Sequence, residues 1–483
     1  MRGDDDEQHY FDPTQITASL PLLPFDNQVG GHGSFFRFSK QAICKAVSKK
    51  EQSFYEHLER QLPELLPFIP QYFGIVNVTY STDSVPHIVF EKNKHLLSDW
   101  RACHHRRSSR RHSVSAAREQ ILRDIFTPQA IQERLRQVNS EFRRSSSFPE
   151  RRQHSLLLPA DQDNPLTAVS CSPTSLSPPS PPPPPPSSSS KSTSAITSRR
   201  DQQDDDNNNN NDQDVFIMDE DMALTTTGDD WKTREKPNNP WSMQVYQRDQ
   251  QKMKHDDHKE YIMIEDLTDG IHFPCVLDLK MGTRQHSVYA TSAKAASQTR
   301  KCQQSTSAAL GVRVCGMQVY KQGDFIFQDK YQGRRLSPIE FRDTLVQFLN
   351  NNGCVQIHHI PAVLHKLRRL AAIIRSLNDY RFYGSSLLMI YDGDETSDKV
   401  MDVRIIDFAH SVTSQDPRHE FSYPPQHPNQ PDDGYLLGLK TLTVCFEWIY
   451  KTHGGEASVL TTLDQDENDV FEGIESRAAM CGV

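Results

Sequence analysis

An acid, a base and a run of cations lie close together in the stretch Phe273 to His286, FPCVLDLKMGTRQH. Read as a strand, it points successive side chains to opposite faces. Cys275, Leu277, Leu279 and Met281 then share one face and suit a core, while Val276, Asp278 and Lys280 share the other. Asp278 and Lys280 stand roughly 6–7 Å apart along that face. Gly282 ends the strand, and Thr283, Arg284, Gln285 and His286 follow at the same rim. A carboxylate for a metal or a proton, set beside cations for an anion, is what phosphoryl transfer needs. On spacing alone, a surface strand with one i,i+2 ion pair explains the same residues.

Further along, a helix from about Thr291 through Lys301 puts Lys294, Gln298 and Lys301 at i, i+4 and i+7, on one face. From Asp278 to Cys302 five cations (Lys280, Arg284, Lys294, Arg300, Lys301) oppose one acid, a local net of +4 in a chain of −9. Such a patch suits a small molecule bearing several phosphates, because several anions must be met at once. The plainer reading is a solvated basic helix face.

The elements that would hold this stretch in place flank it. Val29 to Phe38 reads as strand, glycine-rich turn, strand. Its glycines let backbone approach a ligand closely, although a plain hairpin turn fits equally well. Ala42 to Lys45 is a short strand ending on a lysine. Phe54, Tyr55, Leu58 and Leu62 recur at helical spacing in Glu51–Leu62, and Phe68–Gly74 returns to sheet. Past the middle of the chain, a polar helical stretch from Pro240 to about Lys259 leads to the apolar strand Tyr261–Ile264, which ends in Glu265, Asp266 and Leu267. Leu310–Tyr320 alternates as a strand that pairs with Phe325–Phe327. Helices are predicted over Pro338–Asn350 and Ile360–Leu377. Val403–Ile406 is an apolar strand running into Asp407.

Composition divides the 483 residues unevenly. Only 36% are hydrophobic, and the 30 prolines concentrate in one region, so part of the chain cannot bury enough apolar surface to offset ordering entropy. Residues 1–21 read as an acidic tail, 22–92 as a small lobe, and 93–239 as a disordered insertion. That insertion carries a basic cluster around Arg106, a serine–proline run and an Asp/Asn run. Residues 240–452 read as a large lobe and 453–483 as a second acidic, disordered tail. The net charge of −9 argues against a general nucleic-acid binder. Nine dispersed cysteines without a CxxC pair point to reduced thiols, hence cytosol or nucleus. No apolar run approaches the roughly 18 residues of a membrane span.

Together these segments carry a resemblance. Pro274, Asp278, Lys280 and Gly282 resemble the PxxxDxKxG signature of the inositol polyphosphate kinase family, and the continuation through Thr283, Arg284, Gln285 and His286 is similar to its inositol hexakisphosphate kinase branch. The GGH start, the lysine of Cys44-Lys45, the ExxFYE helix (Glu51, Phe54, Tyr55, Glu56), the Ser385–Leu388 element, the Asp407–His410 DFAH motif and Gly434–Leu439 match in order over roughly 25–92 and 239–450. The resemblance implies a two-lobed α+β kinase-like fold, with ATP between the lobes and the long insertion interrupting it. It implies Lys45 on the nucleotide phosphates, Glu265, Asp266 and Leu267 as the adenine hinge, and Mg²⁺ on Asp278 and Asp407. Lys280 would bridge acceptor and transferred group, with Arg284, Lys294, Gln298, Arg300 and Lys301 on the acceptor. The acceptor implied is a phosphate of inositol hexakisphosphate, giving a diphosphoinositol at the 5-position. One departure is Ser287-Val288-Tyr289, where animal members are expected to be more acidic.

Two competing readings are a family member acting on a hydroxyl of a less phosphorylated inositol, and a catalytically dead polyphosphate-binding scaffold. A protein kinase is the least favoured, since no HRD-type catalytic loop occurs. Protein partners are expected through the insertion, and neither a membrane nor nucleic acid is expected as one.

Overall fold

The computed structural model describes residues 19–31, 33–80, 86–89, 136, 239–252, 258–351, 353–416, 429–463, 469–475 and 477–483. The expected insertion over 93–239 lies outside the described residues except at its last position and Arg136, as do His32 and most of the N-terminal tail. Among the described residues no helix is long and apolar enough to cross a membrane.

The first lobe is an antiparallel sheet of β1 (Ser19–Pro21), β2 (Leu23–Pro24), β3 (Phe35–Arg37), β4 (Ala42–Ala46), β5 (Tyr72–Tyr80), β6 (Pro86–Val89) and β7 (His258–Glu265). Their order is β1-β6-β5-β7-β4-β3-β2. β7 therefore enters the middle of a sheet whose other strands all precede residue 90. Helix α1 (Lys49–Gln61) starts where the Ser48 side chain accepts from Glu51 N–H, and it buries Phe54, Tyr55 and Leu58 at the spacing anticipated. α2 (Pro240–Lys252) precedes β7. It ends sooner than expected, and Lys259 already belongs to the strand.

The second lobe centres on β8 (Pro274–Met281), flanked by β9 (Val312–Lys321) and β13 (Ser386–Asp392) in the antiparallel order β10-β9-β8-β13-β14. β10 is Asp324–Gln328 and β14 is Asp402–Ile406. The predicted alternation holds. Cys275, Leu277, Leu279 and Met281 join the main core, whereas Val276 packs with Val29 and Ile390 on the other side. Helices α3 (Ser292–Gln303), α4 (Thr306–Leu310), α5 (Lys330–Arg335), α6 (Pro338–Leu349), α7 (Ile360–Ser376), α8 (Asp433–Thr452) and α9 (Ala457–Leu463) surround this sheet. β11 (Asn350–Asn351) and β12 (Cys354–Val355) form a small hairpin. α7 buries Leu364, Leu367, Leu370, Ala371 and Ile374 along one face.

The last segment departs from the expected disordered tail. Beyond His453 the chain forms α9, a turn at 469–473 and a short 3-10 turn at Ala478–Cys481. Leu460, Phe471 and Cys481 are buried in the main core. Arg342 Nη1 donates to the Cys481 carbonyl at 2.8 Å. The acidic residues fix the average composition, but a few apolar side chains spaced among them are enough to dock the segment.

Candidate active site

β8 brings Asp278 and Lys280 to the inter-lobe face, and both are withdrawn from water rather than lying on a surface strand. Lys280 does not pair with Asp278. Its ammonium donates to Asp407 Oδ2 at 3.1 Å and to the Gly384 carbonyl at 2.6 Å. Gly384 has φ +69°, a conformation that glycine reaches without strain, and a Cβ there would sit 3.0 Å from the His410 ring. Asp407 follows the end of β14 with φ +67°. Among non-glycine residues, Asp and Asn tolerate that region best, and such outliers cluster at functional sites.

From the other lobe, Lys45 at the end of β4 donates to Asp407 Oδ1 at 2.6 Å and to Glu51 Oε1 at 3.0 Å. Glu51 also accepts from the Phe408 backbone N–H at 3.3 Å. Phe408 stacks on Phe54 with centroids 4.9 Å apart, and Tyr55 meets it edge-on at 5.0 Å. α1 is thereby packed against the Asp407 turn, each such aromatic pair adding about 0.5–1.5 kcal/mol beyond its buried area.

The electrostatics follow from these contacts. Burial opposes the charge on Asp407, but Lys45 and Lys280 overcome it and hold the carboxyl well below the usual range. Burial likewise opposes the Lys45 ammonium, and Asp407 with Glu51 raises it regardless. For Asp278 burial dominates and pushes the carboxyl up, opposed by Lys280 and reinforced by Asp407. Asp278 is 3% exposed, and its Oδ1 has no hydrogen-bond partner among the described residues. A buried oxygen left unmatched beside a second carboxylate fits a hard divalent cation, which takes one or two carboxylates and completes its shell with phosphate oxygens.

Lys45, Asp278 and Asp407 line one cleft together with Gly30, Gly31, Glu265 and Leu267. A Cβ on Gly30 would fall 2.2 Å from Asp278 Oδ2, so the glycine-rich turn lies directly against the carboxylate. At the predicted hinge, Glu265 Oε2 accepts from Gln71 N–H at 3.0 Å and meets Arg404 at 3.5 Å. Asp266 Oδ1 accepts from the Thr268 N–H and hydroxyl. These acidic side chains, and the Glu265 and Asp266 backbone N–H groups, are occupied within the protein, whereas Leu267 lines the cleft.

The basic helix is only partly as expected. Lys294 and Gln298 rise from α3 on one face with Lys301, and Lys294 is close enough to help burial push His410 down to about 4. Arg300 lies about 120° around the helix from Lys294, away from that face. Arg284 also departs from the expectation. It is 5% exposed, its Nε donates to the His286 carbonyl at 3.1 Å, and its guanidinium lies over the Tyr383 ring at 4.4 Å. It braces the loop after β8 through the carbonyls of His286 and Ser287.

Three residues at the site were not singled out from sequence. Glu51 stood within a quoted motif with no role given to it. His410 closed another. Arg313, on β9 directly opposite Lys280, is 5% exposed, and its Nε and Nη1 have no hydrogen-bond partner among the described residues. A lone cation inside the apolar run Leu310–Tyr320 was its only signal. A buried guanidinium without a partner is costly unless an anion arrives. At the rim, Tyr289, the point of departure, donates to Asp416 at 3.1 Å and lies 3.6 Å beneath the Lys50 ammonium, which itself meets Asp416 at 3.3 Å.

The family model described as inositol polyphosphate kinase matches residues 261–447. The chain is 31% identical to inositol hexakisphosphate kinase 3 of Homo sapiens, over 90% of this chain and 97% of that one. It is 31% identical to inositol hexakisphosphate kinase 1 of Rattus norvegicus, over 88% and 93%. An uncharacterized inositol polyphosphate kinase of Schizosaccharomyces pombe is 29% identical over 91% of this chain, which spans 64% of that relative's length. A crystal structure of an inositol phosphate multikinase of S. cerevisiae with ADP and Mn²⁺ aligns over 40% of this chain and 84% of its own, with a TM-score of 0.34 and 24% identity.

Proposed function

Because the chain belongs to the inositol polyphosphate kinase family, we propose that it transfers a phosphoryl group from ATP to the 5-phosphate of inositol hexakisphosphate, giving a diphosphoinositol pentakisphosphate. The observation that carries this reading is the meeting of Lys45 and Lys280 on Asp407 within hydrogen-bond distance, beside buried Asp278, whose Oδ1 has no hydrogen-bond partner among the described residues.

In this reading the adenine lies against Leu267 and the hinge main chain, and Lys45 turns from Asp407 to the nucleotide phosphates. Asp278 and Asp407 would hold Mg²⁺, which would neutralise charge on the nucleotide phosphates. Lys280 stands between the donor and acceptor phosphates. The acceptor oxygen is already ionised at neutral pH, so no strong general base is required, and positioning with charge neutralisation supplies most of the rate. Arg313, Lys294, Gln298 and Lys301 meet the acceptor's other phosphates. His410 is neutral at physiological pH and accepts or donates one hydrogen bond without adding charge. We place the enzyme in cytosol or nucleus on the grounds of its thiols, since the cysteines of the described residues are all free.

The test is an assay of purified protein with Mg-ATP and inositol hexakisphosphate, with the trisphosphate and tetrakisphosphate in parallel and products separated by charge. A more anionic product from the hexakisphosphate, with a phosphorus spectrum placing the diphosphate at the 5-position, is expected. Product from the lower phosphates alone would move the assignment to hydroxyl-directed transfer. Bound ATP without any turnover would favour a polyphosphate-binding scaffold.

A further inference from the structure

Among residues 27–31 and 33–34, which flank Gly30 where it lies against Asp278, part of the rigidity is internal. Gln28 Nε2 donates to the carbonyls of Gly30 and Gly33 at 2.9 and 2.7 Å, while Gln28 Oε1 accepts from Phe35 N–H at 3.1 Å. Beside the packing of Val29 on Val276 and Ile390, α2 and the residue before it help anchor this braced turn at both ends.

At the far end, Asp249 Oδ2 accepts from the Ser34 N–H and from the Ser34 hydroxyl, each at 2.8 Å. At the near end, Asn239, just before α2, donates to Gln318 Oε1 of β9 at 3.0 Å. Gln318 Nε2 donates to Asn27 Oδ1 at 3.2 Å, and Asn27 Nδ2 donates to the Thr268 hydroxyl at 3.0 Å. That hydroxyl reaches Asp266 of the hinge at 2.6 Å. Asn239, Gln318 and Asn27 are all buried, so this chain of hydrogen bonds runs where each one is costly to lose. Ser242 Oγ adds a bond to the Phe25 carbonyl at 2.6 Å.

The described residues of α2 do not line the cleft. Its effect must pass through the turn or the hinge, and the turn is tight at Gly30, where an added methyl would strike Asp278. We infer that Asp249 is a positioning residue for the nucleotide: by holding Ser34 it fixes the turn against Asp278, so α2 sets nucleotide affinity without touching the nucleotide. The inference rests on the reading that this cleft takes ATP.

The experiment is steady-state kinetics on the full chain, varying ATP and inositol hexakisphosphate separately, for wild type, Asp249→Ala and Asp249→Asn. Loss of two charge-assisted bonds raises the KM for ATP about tenfold in Asp249→Ala. The kcat at saturating ATP and the KM for the inositol phosphate stay within about twofold of wild type, as expected of a group that acts on binding alone. Asp249→Asn keeps an oxygen that accepts from both Ser34 donors, and it restores most of the ATP affinity. Should Asp249→Ala lose its thermal transition, Ser34→Ala deletes one of the two donors and still raises the KM for ATP about threefold, half in free energy of the tenfold effect of losing both. A wild-type KM for ATP in Asp249→Ala, or an asparagine variant as impaired as the alanine, overturns the inference and leaves the kinase reading standing. A wild-type protein that binds no ATP removes the kinase reading, and this inference with it.

Discussion

Lys45 and Asp407 are 362 positions apart in the chain and 2.6 Å apart in the fold, and Asp407 divides its two oxygens between Lys45 and Lys280. One carboxylate therefore gathers a cation from each lobe. Asp407→Asn keeps a residue type that accepts a positive φ and removes only the charge. Turnover is expected to fall about a thousandfold, an effect of about 4 kcal/mol, and the thermal midpoint falls as well while a cooperative transition remains, because Lys45 and Lys280 lose their shared anion. Retained turnover would take Asp407 out of the metal-binding role.

Gly30→Ala tests the close approach of the turn to Asp278. The methyl would have to occupy space 2.2 Å from Oδ2, whereas a Cβ at Gly33 meets nothing within 4 Å. A loss of at least about tenfold in kcat/KM is expected for Gly30→Ala, with little change for Gly33→Ala. Equal kinetics for the two variants would show that the turn moves aside freely.

Arg313→Met separates stability from activity. Removing a buried guanidinium that lacks partners should stabilise the ligand-free protein by about 1–3 kcal/mol in denaturant titration. The same change should raise the KM for the inositol phosphate at least tenfold. A destabilised variant would mean that Arg313 serves the fold.

His359 provides a pH signature. Burial, then the neighbouring His358, pushes its pKa down to about 4 from the ordinary 6.5. The folded state thus disfavours the protonated ring. The associated stability is fully present above pH 6.5 and is lost as the pH falls from 6.5 through about 4. Comparing urea midpoints at pH 7 and pH 5, wild type should lose about 2 kcal/mol more than His359→Phe. Parallel losses would show that the ring is protonated as easily in the fold as out of it.

The parts legible in the sequence were those written in a single period. β8 could be read because alternation put Leu277, Leu279 and Met281 on the core side and left Asp278 and Lys280 opposite. α1 could be read from Phe54, Tyr55 and Leu58. Pairings across the fold were not legible. Glu51 is six residues from Lys45, but only the folded chain shows that they share a bond with the Asp407 turn. Arg313 was hidden by a bulge, where β9 shifts register between the partners of Asp278 and Leu279 and Cys315 becomes an extra residue. Arg284 misled because charge alone does not say which way a side chain turns. The last thirty residues misled because average acidity outweighed the few apolar side chains that dock.

The position of β7 has a consequence for how the protein is made. β4 and β5 do not pair with each other; each pairs with β7, which is synthesised only after the whole insertion. On the ribosome these two strands emerge early and present unpaired edges until residue 265 has followed, and such edges invite pairing with other chains. The closure that ends this exposure is non-local, a slow class of folding step. Its entropic cost rises only with the logarithm of loop length, about 0.6 kcal/mol per doubling. The number of residues between β6 and β7 therefore bears little on the final stability, while the time the nascent lobe spends incomplete grows with each residue added. Demand on chaperones during translation, rather than the equilibrium of the finished enzyme, is where the length of that segment would be felt.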